Sequence, residues 1–148
     1  MTRRTVAFAF LCLLAAPAHA EWIDGARPDI PLLGDGTTWL VRATINGRAN
    51  GLFLLDTGAS LCVLTPATAK RLALEETGQT AQLQTANGAV RAPVVRLGEV
   101  DVGGTRIGGV DAIVHGGIPD TIDGVIGLSF LNRFSYTIDP RRRVLRLR

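Results

Sequence analysis

Histidine and cysteine are nearly missing from this sequence: 148 residues hold two of each. Cys12 and His19 fall in the first twenty residues, which read as a removable leader, so the remainder keeps only Cys62 and His115. One cysteine forms no intramolecular disulfide, even in an oxidising compartment. One cysteine and one histidine are too few for a zinc site built on those ligands. A Ser-His-Asp or Cys-His hydrolase would rest on His115 alone. Cys62 lies inside "SLCVL" with no base near it in sequence, which suits an inert core thiol. His115 precedes Gly116-Gly117 and reads as a loop residue.

A long apolar run after the leader is also missing, so nothing later in the chain reads as a membrane span. So is an excess of one charge: without Arg3 and Arg4, fourteen basic residues face thirteen acidic ones. That balance gives no argument for nucleic acid. The positive charge is local, with Arg141, Arg142, Arg143, Arg146 and Arg148 in the last eight residues. That cluster reads either as a solvated edge or, through alternating Leu145 and Leu147, as a strand of a dimer interface.

What is present begins with "MTRRTVAFAFLCLLAAPAHA". Arg3 and Arg4, an apolar stretch from Val6 to Ala16, the Pro17 break and Ala18-His19-Ala20 have the layout of a secretory signal peptide. Cleavage is expected after Ala20, with an uncleaved anchor as the alternative. Leu11 stands before Cys12 where a lipoprotein signal has a small residue, so no lipid is expected. The product would be exported, periplasmic or secreted, and fifteen arginines against one lysine fit a GC-rich bacterial gene. The 128 residues that remain suit one domain. The expected division is a signal peptide over 1–20, an irregular arm over 21–36 and a folded domain over 37–148.

From Thr37 onward the pattern is β. "TTWLVRATI" and "GLFLLD" flank Asn46-Gly47, a strong hairpin signal. Thr65 as N-cap and Pro66 at the first helical position start a helix through "ATAKRLAL", with Gly78 after its end. "TAQLQT" and "AVRAPVVRL" meet at Ala86-Asn87-Gly88, and "EVDV" and "TRIGGVDAIV" at Gly103-Gly104. "GVIGL" is a short apolar run, "SFLNRF" one or two helical turns, and "SYTID" and "RVLRLR" a closing hairpin around Asp139-Pro140. Many short strands and little helix predict an all-β barrel or sandwich. "LLDTGASL" and "TIDGVIGLSFL" echo one another faintly, each bringing an apolar run and a glycine into a small-residue turn.

The chemistry concentrates in "FLLDTGASLCVLT", residues 53–65. Asp-Thr-Gly alone is a common turn composition. A surface turn, however, has no need of "LFLL" before it and "LCVL" after it. Those flanks put Asp56 at the end of a buried strand, where a lone carboxylate would take up a proton unless amides or another charge compensate it. Two carboxylates sharing one proton are the chemistry such a position serves: one stays neutral as an acid while the other activates water. Gly58 lets the turn aim its amides at the acid, and Thr57 adds a hydroxyl.

These residues, with the following helix, the "TANG" hairpin tip and "DGVIGLSFLNRF", resemble the retropepsin-type aspartic proteases, specifically small exported bacterial members. The similarity covers roughly residues 38–148 in the family's order. It implies a closed acid-protease barrel with a flap hairpin and one or two short helices. Asp56 would be the catalytic aspartate, Thr57 would interlock two active-site loops, and Gly58 would shape the turn. Ala86, Asn87 and Gly88 would tip a flap over the substrate, Ser60 would contact substrate backbone, and Val125 would sit near substrate side chains. Val125-Ile126-Gly127 would pack beneath the catalytic loop. Viral members commonly pair an acidic residue at the Ser60 position with an arginine at the Leu128 position; both are absent here, so viral substrate preference does not transfer.

No second Asp-Thr/Ser-Gly exists: Asp120-Thr121 leads to Ile122, and Asp123-Gly124 lacks the hydroxyl. The partner carboxylate must come from another copy across a two-fold axis. The expectation is a homodimeric aspartic endopeptidase acting on a peptide or protein substrate, with no metal or organic cofactor. A non-catalytic peptide-binding module on the same barrel is the alternative.

Overall fold

Six strands close into a ring. The computed structural model describes residues 27–85 and 88–148; the expected leader, residues 21–26 of the arm, and Ala86 and Asn87 lie outside them. The elements are β1 (Ile30–Pro31), β2 (Leu40–Ile45), β3 (Ala49–Leu55), β4 (Cys62–Leu64), α1 (Pro66–Leu72), β5 (Glu76–Thr85) and β6 (Gly88–Val102). They continue with β7 (Thr105–Val114), β8 (Gly124–Ile126), α2 (Leu128–Leu131), β9 (Tyr136–Asp139) and β10 (Val144–Leu147). The ring order is β2-β3-β8-β4-β7-β6, and β6 returns to β2 through Ala43↔Val102, Thr44↔Asp101 and Ile45↔Val100. Of barrel and sandwich, the chain builds the closed barrel, which leaves these strands little open edge.

Local sequence explains much of this. Asn46 and Gly47 both take positive φ, 52° and 64°, and the Arg48 N–H closes the turn on the Ile45 carbonyl at 3.0 Å. The Asn46 side-chain oxygen also accepts the Glu99 N–H at 2.9 Å, tying this hairpin to β6 where the ring closes. Thr65 caps α1 by accepting the Thr68 N–H at 3.1 Å, with Pro66 leading the helix. The helix ends earlier than its sequence implies. Ala73 adopts a left-handed φ of 50°, Leu74 packs on the core, and Gly78 falls inside β5.

"AVRAPVVRL" and "EVDV", which read as two strands, are one fifteen-residue strand. Its ladder with β7 runs from Val94↔Ile113 to Val102↔Thr105, carrying the chain through Gly98. The first part of β6 pairs instead with β5, from Thr85↔Gly88 to Glu76↔Val95, so this hairpin lies beside the ring rather than in it.

Two apolar clusters result. The larger fills the barrel with Phe53, Ile45, Leu97, Phe130 and Leu131, all under 1% exposed. The smaller, Val63, Ala92, Val94, Ile113 and Val125, lies under the β5–β6 hairpin.

A second sheet, β1-β10-β9, joins the ends of the chain. Leu145 and Leu147 bury almost completely while Arg146 turns outward to Asp29 at 2.7 Å. Each such leucine contributes about 2 kcal/mol by burial. β10 is the middle strand, with Ile30↔Leu145 on one side and Leu145↔Ile138 on the other. Val144 and Leu145 are thus paired on both sides, and Arg146 and Leu147 on the β9 side. Part of the arm that reads as irregular is ordered against β10. Ile30 and Leu32 are 4% exposed, and a side chain on Gly103 would meet Ile30 Cγ1 at 2.6 Å.

Candidate active site

β3 delivers Asp56 to the mouth of the barrel. β3 and β8 run parallel, with Phe53↔Gly124, Leu54↔Val125 and Leu55↔Ile126 in register. The next amide, Asp56 N–H, donates to the Ile126 carbonyl at 3.1 Å. The two segments that echo one another in sequence are thus neighbours in one ladder. Asp56 Oδ1 accepts the Gly58 N–H at 2.8 Å, and a side chain on Gly58 would sit 3.2 Å from that oxygen. The carboxylate is half-buried, more open than the buried strand end that its flanks imply. Thr57, Gly58 and Ser60 beside it are exposed.

The loop is held from below by β8 and α2. Leu128 N–H donates to the Ala59 carbonyl at 2.8 Å. A Cβ on Gly127 would lie 2.4 Å from the Leu61 oxygen and 2.7 Å from the Ala59 oxygen, so only glycine lets the two backbones meet. Cys62 anchors the far side: its N–H donates to Ser129 Oγ at 2.9 Å and its sulfur accepts the Gly127 N–H at 3.4 Å. Burial pushes this thiol's pKa up, against a smaller pull from Ser129 and Gly127. A buried, protonated thiol is a poor nucleophile, and His115 is not among its hydrogen-bond partners.

In front of Asp56 opens a cavity of about 400 Å³. Its walls are Asp56 and Gly58–Leu61 from the loop, Val63 from β4, Ala81–Leu83 from β5, Ile113 from β7 and Val125 from β8. Asp56, Gly58, Ser60 and Val125 therefore share one cavity, and among the described residues that line it Asp56 is the one ionisable side chain. Thr57 stands beside the cavity without lining it, and Gly88 lies at the start of β6, opposite Thr85. Ile126 turns into the main core and is 1% exposed. Leu61, Val63, Leu83 and Ile113 escaped sequence reasoning. For Leu83 a signal existed, since alternation in "TAQLQT" puts Ala81 and Leu83 on one face.

Asp123, set aside in the sequence because Asp123-Gly124 lacks the hydroxyl, is fully partnered. Its carboxylate accepts the Leu52 N–H at 2.9 Å, the Arg71 guanidinium at 2.8 Å and the Thr68 hydroxyl at 3.4 Å. Burial pushes its pKa up, but the Leu52 amide, Arg71 and Thr68 together outweigh that and hold it below the usual aspartate value. Among the described residues no group of three or more His, Cys, Asp or Glu side chains is placed to hold a metal ion. No helix among them is long and apolar enough to cross a membrane.

No curated protein matches the chain. A solved structure of a retropepsin-like aspartic protease from Rickettsia conorii is similar, at 27% identity and a TM-score of 0.61, over 80% of this chain and 96% of that one. A family model described as aspartyl protease matches residues 41–130, well over half of the sequence. The chain belongs to the aspartyl protease family and has the retropepsin-like fold.

Proposed function

We propose that this chain is an aspartic endopeptidase whose active site forms when two copies bring Asp56 against Asp56 across a two-fold axis. One observation carries the reading. A single carboxylate, bonded through one oxygen to Gly58 N–H, sits at the mouth of an apolar cleft beside exposed Thr57 and Ser60. Among the described residues that line the cleft there is no second carboxylate, and the one that acid-base work needs comes from the second copy.

Such a pair holds one proton between two acids, because both cannot ionise at close range. The ionised Asp56 takes a proton from a water held between the carboxylates, and that water attacks the peptide carbonyl. The protonated partner stabilises the oxyanion and passes a proton toward the leaving amine. No covalent intermediate forms, and no metal or organic cofactor enters. The shared proton sets an acidic activity optimum. Thr57 and Gly58, exposed in one protomer, form the ground on which the second protomer's loop rests. The β5–β6 hairpin, with Ala86, Asn87 and Gly88 at its tip, covers an extended peptide. Ser60 contacts that peptide's backbone. The apolar walls formed by Leu61, Val63, Leu83, Ile113 and Val125 favour an aliphatic or aromatic side chain next to the cut bond. The leader sends the enzyme out of the cytoplasm, to the periplasm or medium.

The test is cleavage of a diverse peptide pool by residues 21–148, wild type beside Asp56→Asn, from acid to neutral pH. Cuts flanked by apolar residues, present in wild type and gone in Asp56→Asn, are expected. Cuts that survive the substitution contradict the assignment. No cuts at concentrations where the chain is dimeric would favour a peptide-binding module.

A further inference from the structure

We propose that Asp123 is a positioning residue for Asp56: its carboxylate sets the register of the β3–β8 ladder from which the Asp56 amide hangs. The ladder is short, with rungs only at Phe53, Leu54 and Leu55, and Asp56 bonds to its last carbonyl. In so short a parallel pair the starting rung decides where the chain emerges, and a slip of one residue reverses every side chain. Here the start on the β3 side is made by Asp123, while β4 holds the other side of β8 through Val63↔Val125 and Leu64↔Gly124. The Asp123 N–H donates to the Leu52 carbonyl at 2.7 Å, and its Oδ2 accepts the Leu52 N–H at 2.9 Å. Before Asp123 the chain has already turned away, with the Ile122 N–H on the Pro119 carbonyl at 3.1 Å. A side-chain oxygen thus takes the place of the strand carbonyl that would have received Leu52.

Three further features keep that oxygen in place. Arg71 and Thr68 of α1 hold Oδ1 at 2.8 Å and 3.4 Å. The Thr65 N–H, just before α1, donates to the Asp123 carbonyl at 3.1 Å, so main chain and side chain grip the same helix, one at its start and the other along it to Arg71. Gly51 leaves the space: a Cβ there would lie 2.2 Å from Oδ2. Asp56 and Asp123 therefore sit at opposite ends of one ladder, one exposed to the cleft and the other fastened to α1.

The activity arm of the test rests on Asp56 being the catalytic acid; the structural arm does not. Amide hydrogen exchange and cleavage kinetics are compared for wild type, Asp123→Ala, Gly51→Ala and the double variant. In each single variant, exchange at the Leu52 and Asp56 amides should accelerate by about tenfold relative to the Leu97 amide across the barrel. The kcat per folded site should fall at least about tenfold, with KM within about twofold, as expected when a reacting group is misplaced. The effects should add less than fully: Asp123→Ala removes the two atoms that a Gly51 side chain meets most closely and leaves only the Cβ, at 2.9 Å.

Exchange that rises only in step with Leu97, or single-variant effects that add in full, would overturn the inference. If Asp123→Ala fails to fold, Gly51→Ala carries the same exchange criterion in a chain that keeps every polar side chain. Cleavage that is unaffected by Asp56→Asn would sink the functional reading, while the exchange results would still judge Asp123.

Discussion

At the scale of single residues, the site combines one carboxylate left open with a second that is tied down. Asp56 has one amide partner and faces the cleft, whereas Asp123 has an amide, a guanidinium and a hydroxyl. The depressed pKa of Asp123 links it to stability with a definite sign. A carboxyl whose folded-state value lies below the ordinary 3.8 adds stability above that pH and loses it as pH falls through the folded value. Asp123→Asn should therefore be less stable than wild type at pH 7, and the gap in urea midpoints should narrow below pH 3.8. A gap independent of pH would mean that the charge of Asp123 is irrelevant. Cys62 makes a second prediction. Buried and bonded to Gly127 N–H, it should resist iodoacetamide in the native protein and react only on unfolding, as mass spectrometry would show. Asp56 was legible in sequence because a triplet and its apolar flanks are local signals. Asp123 was not, since its partners Leu52 and Arg71 lie 71 and 52 residues away.

At the scale of elements, capping and turn chemistry were readable and long-range pairing was not. The cap at Thr65-Pro66 and the turn at Asn46-Gly47 are made by local bonds, and both do what their composition implies. Thr65→Ala should cost about 1 kcal/mol in chemical denaturation, the usual worth of an N-cap oxygen. The two-residue strand β1 carries no periodicity; it exists because Ile30 and Leu32 find a core and β10 offers an edge. In the same way β6 runs on through Gly98 because β7 supplies a continuous ladder, and no local signal records that partner. The meeting of the Asp56 loop with α2 depends on Gly127. Gly127→Ala pushes a methyl group into two backbone oxygens, and it should cost about 1–3 kcal/mol and most of the cleavage activity. A Gly127→Ala variant with wild-type stability and rate would show that the loop does not rest there.

At the scale of the whole molecule, the barrel is complete and the proposed catalytic site is half of one. The ring closes within the chain, and the terminal sheet pairs Val144 and Leu145 of β10 on both sides. Closing the ring thus needs no partner, whereas the two-carboxylate chemistry does. That separation predicts a folded protomer at dilutions where activity has vanished. It also makes the active site sensitive to the composition of the dimer. The most direct measurement is a mixing titration: wild type combined with equal Asp56→Asn, equilibrated, and assayed at constant total protein. If each site needs Asp56 from both copies, activity falls to about one quarter of that of undiluted wild type, the fraction of dimers with two intact acids. Activity that stays at about one half, in simple proportion to the wild-type chains present, would mean that a single copy carries a whole site and would contradict the account.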